Sequence, residues 1–584
     1  MWKHKGKGLT YENFLVKYKL ITIFVILLFM FISFFLFYMQ IVKGNKYAKI
    51  SENQRIYNEY EYAPRGIIFS RDNVKLAENV YSYALLFYPS KYFNQQNINE
   101  YINNINNILN KKIDIHKISC KNNNYPIQII NKLTKKEICK IHKSKKFLNN
   151  TLLIKETNRI YNYPKIMSHI IGYISKTNKK DTFLNKNNIM DYIGRGGIEQ
   201  FYNNYLMGIN GSLQIEMDAV RRHMRVLRYR KPKPGNNIYS TIDYKLQNTA
   251  YNELKKSSSG KGAIIVLDTK NGAVRVLISY PGFNANKINT KQFIKYFKNK
   301  KLPFFNRAIH AHYPPGSIFK IVLMAAALNV LQTDPNEIIY CPGVLKIGNR
   351  KYSCCNKISH GNINMISAIL KSCNIYFYKL GIKLGINNIE KYAKNFFLDQ
   401  KTGIDLPNEK NGFIPTPKWK KKNTGTSWFI GDTAIFSIGQ GALEVTPIQM
   451  ACMALTIANK GIYYKPYVVN KITTYNGIEI YKHTNKYYKC VKLSKQNWET
   501  INYALIQTIE EGTGIKSKFR NIKIAGKTGT AQNASGKPHA WFISYAPADN
   551  PEIALVVLIE NGGLGGINAV PIGKKIYEKY FEKR

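Results

Sequence analysis

From Leu20 to Val42 the chain reads LITIFVILLFMFISFFLFYMQIV, an unbroken apolar run without a charge. As a helix rising about 1.5 Å per residue, such a run crosses a hydrocarbon core of about 30 Å. It is too long for the apolar part of a cleaved signal, and no small-x-small site follows it, so it reads as an anchor. Residues 43–235 alternate short polar helices and strands with loops rich in Asn and Lys, without a repeat at solenoid spacing, and read as an elongated α+β pedestal. Near residue 236 the period changes. NNIYSTIDYKLQNTAYNELKK predicts a strand and then an amphipathic helix, and GAIIVLDTKNGAVRVLISYP predicts two strands around an Asn271-Gly272 turn. NIKIAGKTGTAQ, HAWFISYAP and EIALVVLIEN predict three more strands, with a mostly helical stretch over about 315–460 lying before them. Antiparallel pairing across short turns makes residues 236–584 one α/β unit, its sheet assembled from both ends of the segment and its middle forming a helical subdomain.

Charge changes this picture only at the anchor. The net charge of +52 and pI near 9.8 would suit a nucleic-acid binder. The lysines are instead spread through Asn-, Ile- and Tyr-rich text with no basic motif, so nucleic acid is excluded as a partner. Lys3, Lys5, Lys7, Lys17 and Lys19 precede the apolar run against Glu12 alone, which keeps residues 1–19 in the cytoplasm and sends everything after Lys43 across the membrane. In a bacterium this is the periplasmic side of the inner membrane. In the pedestal, APRGIIFSRDN carries Arg65 and Arg71 beside Gly66, and two arginines there are expected to pin a junction by pairing with carboxylates.

Candidate chemistry begins at HYPPGSIFKIVLMAAALNVL. Ser317 and Lys320 are one helical turn apart on one face, and the apolar setting would desolvate the lysine so that its neutral amine can take the serine proton. The helix N-terminus offers N–H groups to an oxyanion. A second Ser-x-x-Lys, at Ser258 and Lys261, lies in a polar loop with no helix to align it. Ser372 and Asn374 flank Cys373 in ILKSCNIYFYKLG, where side chains two apart can point the same way; Ser51-Glu52-Asn53, just outside the anchor, is a decoy. Lys-Thr-Gly also occurs twice. Lys401 sits at a helix exit, whereas Lys527 ends an alternating strand, with Gly526 and Gly529 permitting close approach of a substrate backbone.

In their order and separation, Ser317-Ile318-Phe319-Lys320, Ser372-Cys373-Asn374 and Lys527-Thr528-Gly529 resemble the three motifs of the penicillin-recognising serine transpeptidases and β-lactamases. The segments APRGIIFSRDNVKLAEN, GRGGIEQFYNNYLMGINGS, STIDYKLQ, FSIGQGALEVTPIQMA and GKTGTAQ, taken with the anchor, are similar to class B penicillin-binding proteins over about residues 20–575. The block CPGVLKIGNRKYSCCNKISHGNINMISAILKSCN and the short C-terminal tail resemble the elongation type, penicillin-binding protein 2. Asn203 departs from the acidic residue common there, and Asn374 from the Asp of many elongation members.

The resemblance implies a D,D-transpeptidase acting on the D-alanyl-D-alanine end of peptidoglycan stem peptides, inhibited by β-lactams and needing no cofactor for acyl transfer. It assigns Ser317 as nucleophile, Lys320 as base, Ser372 and Lys527 as proton relay, and Asn374 as partner of the acyl amide. N–H groups of Ser317 and Thr530 would form the oxyanion hole, while Thr528, Gly529 and Thr530 line the carboxylate subsite. It further implies docking on a SEDS-type glycosyltransferase (RodA) of the elongation machinery. Alternatives are a septal-type enzyme, a carboxypeptidase or β-lactamase passing the acyl group to water, and a sensor without turnover. Cys341, Cys354, Cys355, Cys373 and His360 fall in one short stretch whose spacing permits zinc. Cys341, Cys355, His360 and Cys373 are the expected ligands, with disulfides or free thiols as the alternatives; Cys120, Cys139, Cys452 and Cys490 read as structural.

Overall fold

The computed structural model describes residues 11–582 apart from 88–94, 111–126, 145–150, 179–180, 182–191, 218–222, 289–290, 490, 520 and 534–535. Two compact units emerge, the first drawn from residues 1–62, 81–156 and 210–233, the second from 63–80, 157–209 and 234–584.

In the first unit the helix Tyr11–Phe37 continues through a π-turn, Tyr38–Val42. Residues 14–42 form an apolar span long enough to cross a membrane, with its side chains exposed as a lipid-facing helix requires. A second helix, Gly44–Arg55, leads into the strand Ile56–Glu61, which pairs antiparallel with Gly211–Met217 and through it with His223–Arg230. A small separate core forms where Leu85, Ile130 and Leu133 from paired strands meet Ile105 and Leu109 of the helix Gln95–Leu109 and Ile141 of the helix Lys135–Lys143.

The second unit is built on a five-stranded antiparallel sheet. Its strands are β1 (Gly262–Asp268), β2 (Val274–Tyr280), β3 (Ala525–Ala531), β4 (His539–Ala546) and β5 (Ile553–Ile559), in the spatial order β2-β1-β5-β4-β3. The Asn271-Gly272 turn joins β1 to β2, with Gly272 at φ +78°. Both sheet faces are covered, which is why these strands read as continuous apolar runs. Ile264, Val266, Phe542, Leu555 and Val557 pack on one side against the helices α1 (Tyr244–Lys255) and α5 (Gly565–Phe581). The alternate residues Ala263, Ile265, Leu267, Val556 and Leu558 join a second core with the helices α2 (Lys320–Ala326), α3 (Asn374–Leu384) and α4 (Pro447–Ala458). The expected antiparallel α/β unit with a helical subdomain is thus present, and β3 is one of its two edge strands.

Arg65 meets its expected carboxylate. Its Nε and Nη2 lie 3.0 and 2.8 Å from Glu199 Oε2, and Arg159 Nε donates to Oε1 at 2.8 Å. Burial alone would raise the Glu199 carboxyl, but the charges of Arg159 and Arg65 hold it below the usual carboxylate range. Asn203 accepts from Arg65 Nη2 at 3.0 Å, so the amide supplies the acceptor there without a second negative charge. Replacing Glu199 with Gln strands two buried guanidiniums. The expected loss is about 3–5 kcal/mol in this unit, read as an earlier unfolding transition in a thermal or denaturant melt.

Candidate active site

Ser317 sits in a 3-10 turn, Gly316–Phe319, that runs directly into α2. Glycines let this turn approach both the edge strand and the segment around Gly439, and a Cβ on Gly316 would lie 3.1 Å from Thr530 O on β3. Gly316 has φ +59° and donates its N–H to Gly439 O at 2.9 Å, while a Cβ on Gly439 would meet Gly316 O at 2.2 Å. A Cβ on Gly529 would lie 2.7 Å from Ile318 Cγ1, so the glycine of the Lys-Thr-Gly motif lets β3 lie beside the serine turn. Trp541 Nε1 on the neighbouring strand donates to Pro314 O at 3.1 Å and holds the entry to the turn.

Lys320 is completely buried, and its Nζ donates to Ser372 O at 2.8 Å, Ser372 Oγ at 3.3 Å and Asn374 Oδ1 at 2.7 Å. Every acceptor is neutral. Burial therefore pushes the amine down from 10.5 to about 8, with only partial opposition from the nearby Cys373 and Cys354 sulfurs. Ser372 reaches this position because it adopts φ +54° just beyond the helix Met365–Leu370, turning the chain back so that Ser372 and Asn374 face the amine while Cys373 faces away. Lys527, on β3, is also fully buried and its Nζ donates to Thr528 O at 3.1 Å. Burial, then the charge of Lys320, hold its amine well below the ordinary lysine value. The fold thus brings Ser317, Lys320, Ser372, Asn374 and Lys527 to one edge of the sheet. Among the described residues Ser317 Oγ makes no hydrogen bond, which leaves it available to an incoming group.

The two threonines are already partnered. Thr528 Oγ1 donates to Thr513 Oγ1 at 2.6 Å, and Thr530 Oγ1 accepts from Gly565 N–H at 3.3 Å. Thr513, which sequence reasoning missed, has as its only local signal the flanking glycines 512 and 514. The other Lys-Thr-Gly is accounted for structurally: Glu409 accepts from Thr402 N, Thr402 Oγ1 and Gly403 N at 2.7, 2.6 and 2.9 Å, closing a loop with Lys401 exposed. Lys261 pairs with Glu560 at 3.3 Å and takes no part in a Ser-x-x-Lys constellation.

The cysteine cluster requires a correction. Cys341, Cys354, His360 and Cys373 come together, their ligand atoms all within 4.8 Å of one another, whereas Cys355 is exposed. Cys354 ends the run after the strand Arg350–Ser353 and is turned inward by its N–H to Gly343 O at 2.8 Å; Cys355 starts the next 3-10 turn and faces out. The pairs Cys354–His360, Cys341–His360 and Cys354–Cys373 are 3.4, 3.7 and 3.7 Å apart. A tetrahedral zinc with arms of about 2.3 Å has sulfur–sulfur edges of about 3.7 Å, so the donor set fits. N–H groups of Asn374 and Tyr376 point at Cys354 and Cys373 sulfurs at 3.3 and 3.4 Å, as thiolates require.

Residues 262–578 match the family described as penicillin binding protein transpeptidase domain, and residues 60–240 the penicillin-binding protein dimerisation domain. The peptidoglycan D,D-transpeptidase MrdA of Acinetobacter baumannii is 30% identical over 575 residues, covering 94% of this chain and 84% of the relative. MrdA of Haemophilus influenzae is 30% identical over 583 residues, covering 94% and 89%. Among solved structures, the complex of penicillin-binding protein PBP2 with MreC from Helicobacter pylori matches with a TM-score of 0.78 at 26% identity, covering 90% of this chain and 99% of that one. With the serine, lysine and Lys-Thr-Gly groups assembled on one sheet edge, the chain belongs to the class B penicillin-binding proteins of the elongation type, the serine D,D-transpeptidases of peptidoglycan.

Proposed function

We propose that Ser317 is the acyl-accepting nucleophile and that the chain cross-links stem peptides by the following steps. Ser317 Oγ attacks the penultimate D-alanyl carbonyl, and its proton passes to the neutral amine of Lys320. N–H groups at Ser317 and Thr530 stabilise the oxyanion, each such donor being worth about 10²–10³ in rate. The C–N bond then breaks, and the leaving D-alanine nitrogen takes a proton through Ser372 and Lys527. An amine of a neighbouring stem attacks the serine ester, forms the new amide and returns the proton to Ser317. Asn374 pairs with the acyl amide. Thr528, Gly529 and Thr530 line the carboxylate subsite, with Thr513 orienting the Thr528 hydroxyl. The observation that carries this reading is the buried Lys320 amine, held by Ser372 and Asn374 with neutral acceptors alone.

The Cys341, Cys354, His360 and Cys373 set would hold a structural zinc, tying the Ser372 turn to the hairpin Val344–Ser353. The metal lies outside the acyl-transfer steps. For the anchor, the lysines before the span support a cytoplasmic N-terminus and a periplasmic catalytic unit. A SEDS-type glycosyltransferase (RodA) is the proposed partner supplying glycan, and an MreC-like protein a second, since the Helicobacter relative was solved with MreC.

Intact-mass analysis after benzylpenicillin should give a single covalent adduct mapping to Ser317, and Ser317→Ala should give none while keeping its melting transition; an adduct on the alanine variant would sink the assignment. Lys320 is charged below its pKa and basic above it. The second-order acylation constant should therefore rise about tenfold per pH unit under mildly acidic conditions and level off above about 8. A flat profile from acid to alkaline would exclude Lys320 as the base. Protein purified without added zinc should contain stoichiometric metal, lost together with thermal stability in Cys354→Ala and retained in Cys355→Ala.

A further inference from the structure

Arg71, the second arginine of the motif that supplied Arg65, finds no carboxylate among the described residues. It stands at the mouth of a cavity of about 320 Å³ in the second unit, between the turn 70–73, the strand Asn237–Ser240, the Asn271-Gly272 turn and residues 467–471. That volume lies at the lower end of the range for ligand pockets. Three cations line it, Arg71, Arg275 and Lys471, and no carboxylate does. Arg275 is neutralised from behind by Asp268 at 2.6 Å, and Asp72 is occupied by Ser70 Oγ at 2.6 Å. Arg71 and Lys471 have no ion-pair partner among the described residues; the Lys471 amine rests over the Tyr239 ring, 4.9 Å from its centroid. Two cations therefore line the cavity without a salt bridge among the described residues.

An independent observation comes from Ser240. It lines the cavity, is 2% exposed, and its Oγ is buried without a hydrogen-bond partner. The strand register against Val469–Thr473 shifts between Tyr239 and Ser240, with Ser240 paired to Val469. A buried hydroxyl left unpaired is costly unless something else fills its bond. Amide side chains complete the wall. Asn271 Oδ1 accepts from Ala273 N–H at 2.9 Å, which leaves its NH₂ to donate, and Asn73 and Asn470 offer both donor and acceptor. A phosphate would use donors only; a mixed amide wall with two free cations suits a peptide that carries free carboxylates.

We propose that this cavity is a second binding site for a carboxylate-bearing peptide, separate from the acyl-transfer edge, with Arg71 and Lys471 pairing the carboxylates and Ser240 donating to them. Its identification as a peptidoglycan stem peptide rests on the transpeptidase reading, whereas its preference for a carboxylate peptide does not. The test uses the full chain in detergent, first acylated with benzylpenicillin, so that failure of acylation reports on the catalytic reading alone. L-Alanyl-γ-D-glutamyl-diaminopimelate, which lacks the D-alanyl-D-alanine end, is then titrated by calorimetry. Saturable binding should survive acylation and weaken about tenfold or more in Arg71→Gln/Lys471→Gln and about fivefold in Ser240→Ala, with penicillin acylation of these variants unchanged as the check on folding. Absence of saturable binding to the acylated protein, or equal affinity in the double variant, overturns the proposal. Inorganic phosphate that binds as tightly and displaces the tripeptide overturns the assignment to a peptide.

Discussion

The structure of the catalytic unit depends on keeping one amine dry. Lys320 is fully buried, and the fall of its pKa from 10.5 to about 8 corresponds to about 3 kcal/mol against the charged form. The penalty is bearable because three neutral acceptors surround the nitrogen, and it leaves the amine easier to deprotonate near neutral pH. A carboxylate in place of Asn374 would stabilise the ammonium and raise that pKa. The neutral amide therefore bears directly on the protonation of the lysine.

Holding those acceptors in place explains much of the surrounding architecture. Ser372 is left-handed, a conformation that costs about 1–3 kcal/mol at a non-glycine residue when nothing compensates. Here Cys373, between the two acceptors, turns into the sulfur cluster, where its Sγ accepts from Tyr376 N–H and meets Cys354. The middle residue of the motif is thus a tether, and its burial orients the flanking pair. On the other side, the approach of Gly316 to Thr530 and of Gly529 to Ile318 brings the serine turn onto the edge strand. An edge strand is needed because an extended peptide can pair with its free backbone groups. A central strand would offer none.

The excess positive charge has a simpler place in this molecule than its size suggests. Two lysines, Lys320 and Lys527, are fully buried, and they act through loss of solvation. Several buried arginines are matched to carboxylates, as Arg65 and Arg159 are to Glu199 and Arg307 is to Glu560. Two guanidiniums against one carboxylate still leave a net charge at the Glu199 centre, where Asn203 supplies an acceptor and no charge. That distribution separates the paired, buried charges from the solvated background that dominates the composition.

Sequence periodicity was sufficient for the sheet strands and the apolar span, because each rests on local pattern, whereas Lys527, expected at the end of its strand, is the third residue of Ala525–Ala531. What was not legible depends on where distant segments meet. Cys354 and Cys355 are chemically identical neighbours, and only the hydrogen bond from Cys354 N–H to Gly343 O selects which sulfur turns inward. Thr513 lies in an unremarkable turn until the fold carries it to Thr528. Arg65 and Arg71 looked equivalent in one short motif, yet the chain delivers a carboxylate to the first and an open cavity to the second. Spacing along a chain can specify which side chains are available to one another; the partner each one meets is decided by register and packing across the fold, and the site's least predictable residues are those whose role is set entirely by that second step.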